Sequence, residues 1–227
     1  MFAVPQTMVA IAGSNDMFPV RRIYCVGRNY LDHIREMGEA DERDPPFFFQ
    51  KPTDAIVPAG GTIPYPPHTN DLQFEVELVV AVGQAGRAVP VADAHRLVFG
   101  YAIGLDMTRR DRQFEARDKR LPWEMGKSFD HSAPCGPISP IASTGLLTAG
   151  AITLVTAGVV RQRGDLAALI WNVDEIISKL SEQYALCPGD LIFTGTPAGV
   201  GPVRPGDVMD CSIAGLGQVS FTIGPAA

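Results

Sequence analysis

The stretch Leu72-Gln73-Phe74-Glu75-Val76-Glu77-Leu78-Val79-Val80 constrains this chain more than any other, because it sets two carboxylates two residues apart in a run built for burial. Successive strand side chains alternate faces, so Glu75 and Glu77 share one side while Phe74, Val76 and Leu78 share the other. The two carboxylates then stand about 7 Å apart along one face. The sequence offers that face no positive partner, and buried like charges repel unless a cation or a shifted pKa relieves them. A hard divalent ion is the economical solution, and a solvated strand edge is the plain alternative.

The surrounding chain reads as one β-rich domain over residues 1–227. No Ser/Gly tract or charge block divides it, and 23 glycines and 19 prolines in an apolar, non-repetitive sequence imply many tight turns between short strands. Nineteen basic against 25 acidic residues, scattered along the chain, argue against a nucleic-acid partner. Cys25, Cys135, Cys187 and Cys211 lack the spacing of a zinc or redox pair and fit reduced thiols in a cytoplasm. The N-terminus has no basic then apolar leader, and no run of about 18 apolar residues exists, so neither secretion nor a membrane span is expected.

Along the chain, Ala3 to Ala12 and Arg22 to Val26 read as strands, with residues 1–20 as an N-terminal extension. Asn29 to Met37 has a short helical pattern that Gly38 can end. On it His33 and Glu36 are three apart, so the carboxylate can orient the imidazole as a general base. Residues 30–50, acidic and turn-prone at their centre, are expected to form a mobile flap leading into Phe47-Phe48-Phe49-Gln50-Lys51-Pro52. Gly83 to Arg87 reads as a hairpin turn. Tyr101 to Leu105 reads as a buried strand ending at Asp106, where a third carboxylate can join Glu75 and Glu77.

Thr108 reads as the N-cap of a charged helix running to Leu121, with Arg110 and Gln113 on one side. Asn172 and Glu175 form a capping box ahead of the apolar stripe Ile176, Ile177, Leu180, Tyr184. The glycine-rich Thr194 to Gly201 follows a strand but opens no helix and lacks a Lys-Ser/Thr ending, which excludes a nucleotide loop. Its small residues permit close approach of backbone to a ligand.

Taken in order, these elements carry a resemblance. Gly27-Arg28-Asn29-Tyr30 with His33 and Glu36, Lys51-Pro52, Glu75-Val76-Glu77, Leu105-Asp106-Met107-Thr108 with Arg110-Asp111 and Gln113, Gly126-Lys127-Ser128-Phe129, and Thr194-Gly195-Thr196-Pro197 with Gly199-Val200-Gly201 resemble the fumarylacetoacetate hydrolase family. The match spans residues 20 to 223 and is nearest to the acylpyruvase and fumarylpyruvate hydrolase branch.

The resemblance implies an α+β fold, a mixed β-roll with a few short helices, in a homodimer. It implies Mg²⁺ or Mn²⁺ on Glu75, Glu77 and Asp106, a catalytic set of His33, Glu36 and Lys127, and a substrate site lined by Arg28, Lys51, Arg110, Gln113 and Thr196. The activity implied is hydrolysis of the carbon–carbon bond of an acylpyruvate, with fumarylpyruvate, an intermediate of aromatic-ring degradation, preferred. Its far carboxylate then needs a cation, for which Arg28, Lys51 and Arg109 are candidates. The related reactions, oxaloacetate decarboxylation and isomerisation of a 2-oxo dienoate, need no activated water, so His33 and Glu36 favour hydrolysis. A binding protein without turnover is disfavoured by the complete set. One departure stands out: relatives carry Val-Asn-Gly before an Arg-Gln pair, whereas this chain has Ala157 at the asparagine position, ahead of Arg161-Gln162.

Overall fold

The computed structural model describes residues 1–37 and 43–226, so Gly38 and the centre of the expected flap lie outside the described residues. The main sheet is mixed. Its strands run in the order β4 (Phe47–Lys51), β3 (Arg22–Gly27), β15 (Asp190–Phe193), β8 (Val76–Val82), β9 (Val98–Leu105), β11 (Ala133–Cys135) and β5 (Ile56–Pro58), with β12 (Ser139–Pro140) added on β9. A second sheet of five strands has the order β14 (Val159–Asp165), β13 (Ala151–Thr156), β17 (Val208–Ile213), β18 (Gly217–Ala226) and β6 (Thr62–Tyr65). Between them β7 (Leu72–Phe74) is flanked by β10 (Thr108–Arg109) and β16 (Gly201–Pro202). A two-stranded hairpin, β1 (Met8–Ala10) and β2 (Met17–Pro19), precedes the rest. The helices are short: α1 (Leu31–Glu36), α2 (Val91–Ala94), α3 (Arg110–Asp118), α4 (Glu124–Lys127), α5 (Ile141–Thr144) and α6 (Val173–Gln183). This is the expected α+β, mixed-sheet architecture.

The carboxylate-bearing strand is central, and that decides its character. Every residue of β8 is buried. Its Val76, Leu78, Val80 and Val82 enter one core with Tyr24, Tyr101, Ile152, Ile176 and Phe221, while Val79 and Ala81 enter a second with Ile23, Phe193 and Phe18. A strand buried on both faces reads as a near-continuous apolar run, and this one does. Glu77 lies on the face of Val79 and Ala81, so it is a carboxyl inside the protein and not a solvated edge.

Local signals hold where the cause is local. Asn172 accepts from Glu175 N–H and Glu175 caps back onto Asn172 N–H, which starts α6 as expected. Ile176, Ile177 and Leu180 are buried, and Tyr184 ends the helix with its ring centre 5.2 Å from that of Tyr24. Three expectations are corrected. The first strand is confined to Met8–Ala10, which hydrogen-bonds to Met17–Pro19. Gly83 to Arg87 is not a tight turn: β9 resumes only at Val98, after α2 and a 3₁₀ turn at His95–Leu97. Thr108 does not cap α3, whose N-cap is Arg109 with no side-chain bond, because the Thr108 hydroxyl is engaged inside the protein.

The Ala157 departure falls in the two-residue turn between β13 and β14, where Thr156 pairs with Val159. Ala157 has φ 50° and Gly158 φ 74°, the sign pattern of a type I′ turn that favours Asn-Gly. An alanine there bears a left-handed penalty of about 1–2 kcal/mol that asparagine partly escapes. Ala157→Asn is therefore expected to raise stability by about 0.5–1 kcal/mol, read as a higher urea midpoint at constant slope. A lower midpoint would show that the turn is not the reason.

Candidate active site

Strand register assembles the three carboxylates. The β8–β9 pairing sets Val76 opposite Leu105 and Glu77 opposite Gly104. Asp106, one step past β9, shares the face of Gly104 and Ala102 and therefore of Glu77. The ladder breaks at Glu75, which lies between β7 and β8, and the Asp106 N–H donates to the Glu75 carbonyl at 2.9 Å. All three side chains are buried, and one oxygen from each lies within 4.8 Å of the others.

Distant cations meet this cluster. Lys127 Nζ donates to Glu75 Oε2 and Asp106 Oδ2 at 2.8 Å each, and to Thr108 Oγ1 at 2.7 Å. Arg110 donates to Glu75 Oε1 at 2.5 Å, Gln73 Oε1 at 2.8 Å and Gln113 Oε1 at 2.5 Å. Lys51 Nζ donates to the Met107 and Lys127 carbonyls and stands 2.8 Å from Asp106 Oδ1, without the alignment of a hydrogen bond. Burial alone would raise the Glu75 pKa, but Lys127 and Arg110 outweigh it and hold that carboxyl well below its ordinary value. Burial alone would lower the Lys127 pKa, but Asp106 and Glu75 outweigh it and raise it.

Glu77 is the exception. Among the described residues no basic side chain pairs with it, and its Oε2 accepts only from Gly195 N–H, at 2.7 Å. Burial, then the charges of Asp106 and Glu75, push its pKa well above the ordinary carboxylate range. A buried carboxyl under that pressure, next to an Asp106 oxygen without an aligned donor, is what a hard cation would relieve. The all-oxygen donor set suits Mg²⁺ or Mn²⁺.

Helix α1 brings the expected base pair to the same cleft. His33 Nδ1 lies 3.1 Å from Glu36 Oε2, which leaves Nε2 for the cleft that His33 lines with Glu75, Asp106 and Lys127. Glu36 also accepts from Gly199 N–H at 3.0 and 3.2 Å. Burial would raise its pKa, but the bonds from His33 and from the loop N–H groups lower it. The loop approaches this closely because Gly199, at φ +98°, has no Cβ: one added there would sit 2.0 Å from the Arg161 carbonyl.

Of the remaining expected residues, Arg28, Arg110, Gln113 and Thr196 line the cleft. Arg28 does so in a left-handed backbone conformation, φ 61°. Thr196 donates to the Val76 carbonyl at 2.8 Å. Lys51 is placed elsewhere: its side chain is wholly buried behind Asp106 and is not on the cleft wall. Two positioning residues escaped the sequence reading. Gln162, fully buried on β14, accepts from Val76 N–H at 2.9 Å and donates to Thr196 Oγ1 and the Pro197 carbonyl at 2.7 Å each. Asn29 donates to the carbonyls of Thr194 at 2.7 Å and Trp171 at 2.9 Å. Gln162 stands beside the Ala157 departure, where only a hairpin was read, and Asn29 belongs to Gly27-Arg28-Asn29-Tyr30.

The chain is 46% identical over 180 residues to a fumarylpyruvate hydrolase of a Ralstonia species, covering 79% of this chain and 93% of that one. It is 42% identical over 203 residues to a human mitochondrial oxaloacetate tautomerase, covering 89% and 91%. A crystal structure of fumarylpyruvate hydrolase from Pseudomonas aeruginosa, in complex with Mn²⁺ and pyruvate, superposes with a TM-score of 0.96 at 50% identity, covering 99% of each chain. Residues 22–224 match the model of the fumarylacetoacetate (FAA) hydrolase C-terminal domain, and the chain belongs to that family.

Proposed function

We propose that the chain is a divalent-metal-dependent hydrolase that splits fumarylpyruvate into fumarate and pyruvate. One observation carries the reading: a single cleft is lined by Glu75 and Asp106, whose oxygens lie within 4.8 Å of one on Glu77 in a set fit for a hard cation, and by His33, which Glu36 holds ready to activate water. The Mn²⁺ and pyruvate held by the half-identical Pseudomonas enzyme support it.

Glu75, Glu77 and Asp106 would hold the ion, which when bound supplies a Lewis acid for the 2-oxo acid end of the substrate. His33, oriented by Glu36, takes a proton from water at Nε2 as the water oxygen bonds to the acyl carbonyl carbon. The bond from that carbon to C3 breaks, its electron pair passes to the pyruvyl half as an enolate, and C3 takes up a proton to give pyruvate. Lys127, kept charged by Asp106 and Glu75, presents fixed positive charge where the enolate forms. Arg110, itself bonded to Gln113, holds Glu75, and Thr196 ties the glycine-rich loop to the Val76 carbonyl. Arg28 is a substrate-facing residue of the same cleft, and Lys51 acts through Asp106.

A homodimer in the cytoplasm, serving degradation of aromatic compounds, completes the reading. Free, buried Cys25, Cys135 and Cys211 and the exposed apolar Val159 and Val160 on the outer strand β14 support the compartment and the self-association. No helix among the described residues is long and apolar enough to cross a membrane.

The test follows loss of fumarylpyruvate absorbance with Mn²⁺ or Mg²⁺ and quantifies fumarate and pyruvate. His33→Ala is expected to lower kcat by about 10²–10⁴. A second reading, conversion of oxaloacetate, is favoured by the 42% identity to the human tautomerase. It would replace the first if wild type converts oxaloacetate but leaves fumarylpyruvate intact.

A further inference from the structure

Fumarylpyruvate carries a second carboxylate at its acyl end, and four cations near the site can be compared for receiving it. Lys51 is sealed behind Asp106 with its ammonium on the Met107 and Lys127 carbonyls. Arg109 turns outward: its guanidinium lies 4.3 Å from the Phe129 ring centre, Nη1 reaches the Met125 carbonyl at 3.5 Å, and it lines a separate surface groove with His68 and Arg112. Arg28 lines the cleft. So does Arg117, which no motif had singled out.

Arg117 stands where the substrate would end. Arg110, Gln113, Phe114 and Arg117 fall at i, i+3, i+4 and i+7 of α3, hence on one face, and all four line the cleft. At about 1.5 Å rise per residue, the Arg117 backbone is ~10 Å along the helix from that of Arg110, which grips the ligand-cluster residue Glu75. A seven-carbon diacid of six bonds, each about 1.5 Å, spans no more than ~9 Å. With one end at the carboxylate cluster, the other comes within reach of the Arg117 side chain.

Part of the cleft lining is aromatic. Phe49, Phe114 and Trp123 line it, and the Phe49 and Trp123 ring centres are 6.2 Å apart, surfaces suited to a flat conjugated segment. Arg117 is only loosely committed at present. Its guanidinium rests 4.6 Å from the Phe114 ring centre, and its Asp118 partner is 3.5 Å away in an exposed pair that water screens.

We infer that Arg117 is the specificity-determining cation of this cleft, the residue that receives the acyl-end carboxylate of a dicarboxylic acylpyruvate; the inference rests on the hydrolase reading above. The test measures kcat/KM of the Mn²⁺-loaded wild type, Arg117→Met, Arg117→Lys and Arg28→Met on fumarylpyruvate and on acetylpyruvate, whose acyl end is uncharged. Arg117→Met is expected to lower the fumarylpyruvate-to-acetylpyruvate ratio by about 10- to 100-fold, mainly through KM, with part of the loss recovered in Arg117→Lys.

An unchanged ratio in Arg117→Met, whether or not overall activity falls, overturns the inference. So does a selective loss in Arg28→Met alone. Wild type that cleaves acetylpyruvate but not fumarylpyruvate overturns it while leaving an acylpyruvate hydrolase standing. Wild type that cleaves neither overturns both readings.

Discussion

Glu77→Gln is expected to leave the metal-free protein folded while abolishing its response to Mn²⁺ and lowering turnover by about 10⁴ or more, the kinetic equivalent of several kcal/mol of lost charge stabilisation. The three carboxylates differ in what they hold. Glu75 accepts from Lys127 and Arg110, and Asp106 from Lys127 with Lys51 beside it, so an amide at either strands buried cations. Glu77 pairs with no basic side chain among the described residues, and its one donor, Gly195 N–H, serves an amide oxygen equally well. Metal-free stability should thus move by less than about 1 kcal/mol. Thermal unfolding with EDTA and with Mn²⁺ separates the two effects. A variant that Mn²⁺ still stabilises as it does the wild type would remove Glu77 from the ligand set.

Lys127→Met should do the reverse, costing stability before it costs binding. The ammonium is the hub of a buried network that reaches Glu75, Asp106 and Thr108, and its loss leaves two carboxylates facing each other with one cation each. Removing one member of a buried ion pair costs about 3–5 kcal/mol. For a chain of this size that lowers Tm by about 6–20 °C. Because bound Mn²⁺ would bring positive charge to the same carboxylates, it should restore more stability to the variant than it adds to the wild type. Equal stabilisation of both proteins would mean that lysine and metal do not share the carboxylates.

These contrasts mark where the sequence speaks and where it falls silent. Alternation in Leu72 to Val80 located Glu75 and Glu77, and the end of the Tyr101 to Leu105 run located Asp106, because strand periodicity and strand ends are written in neighbouring residues. The capping box at Asn172 and Glu175 was legible for the same reason. What pairs with those carboxylates was not, since Lys127 lies 52 positions from Glu75 and reaches it only through the fold. Thr108 has the composition of a cap, yet its hydroxyl serves the Asp106 carbonyl and Lys127, a tertiary demand that overrides the local one. Lys51 resembled a substrate-facing cation until the packing of β4 turned it toward the Met107 carbonyl. The order of separated motifs supplied the family where no single motif could.

The amide of Gln162 has a consequence for how this protein can vary. It satisfies a backbone N–H on the carboxylate strand and two oxygens of the glycine-rich loop at once, from a strand of the other sheet. Glutamate would supply no donor for those two oxygens, and a shorter amide would not span them. Its neighbours on β14 face outward, and the turn five residues away already carries an alanine in a conformation that disfavours it. Along β14, substitution is therefore best tolerated at the exposed positions and least tolerated at Gln162. That single position bolts two sheets into one catalytic frame.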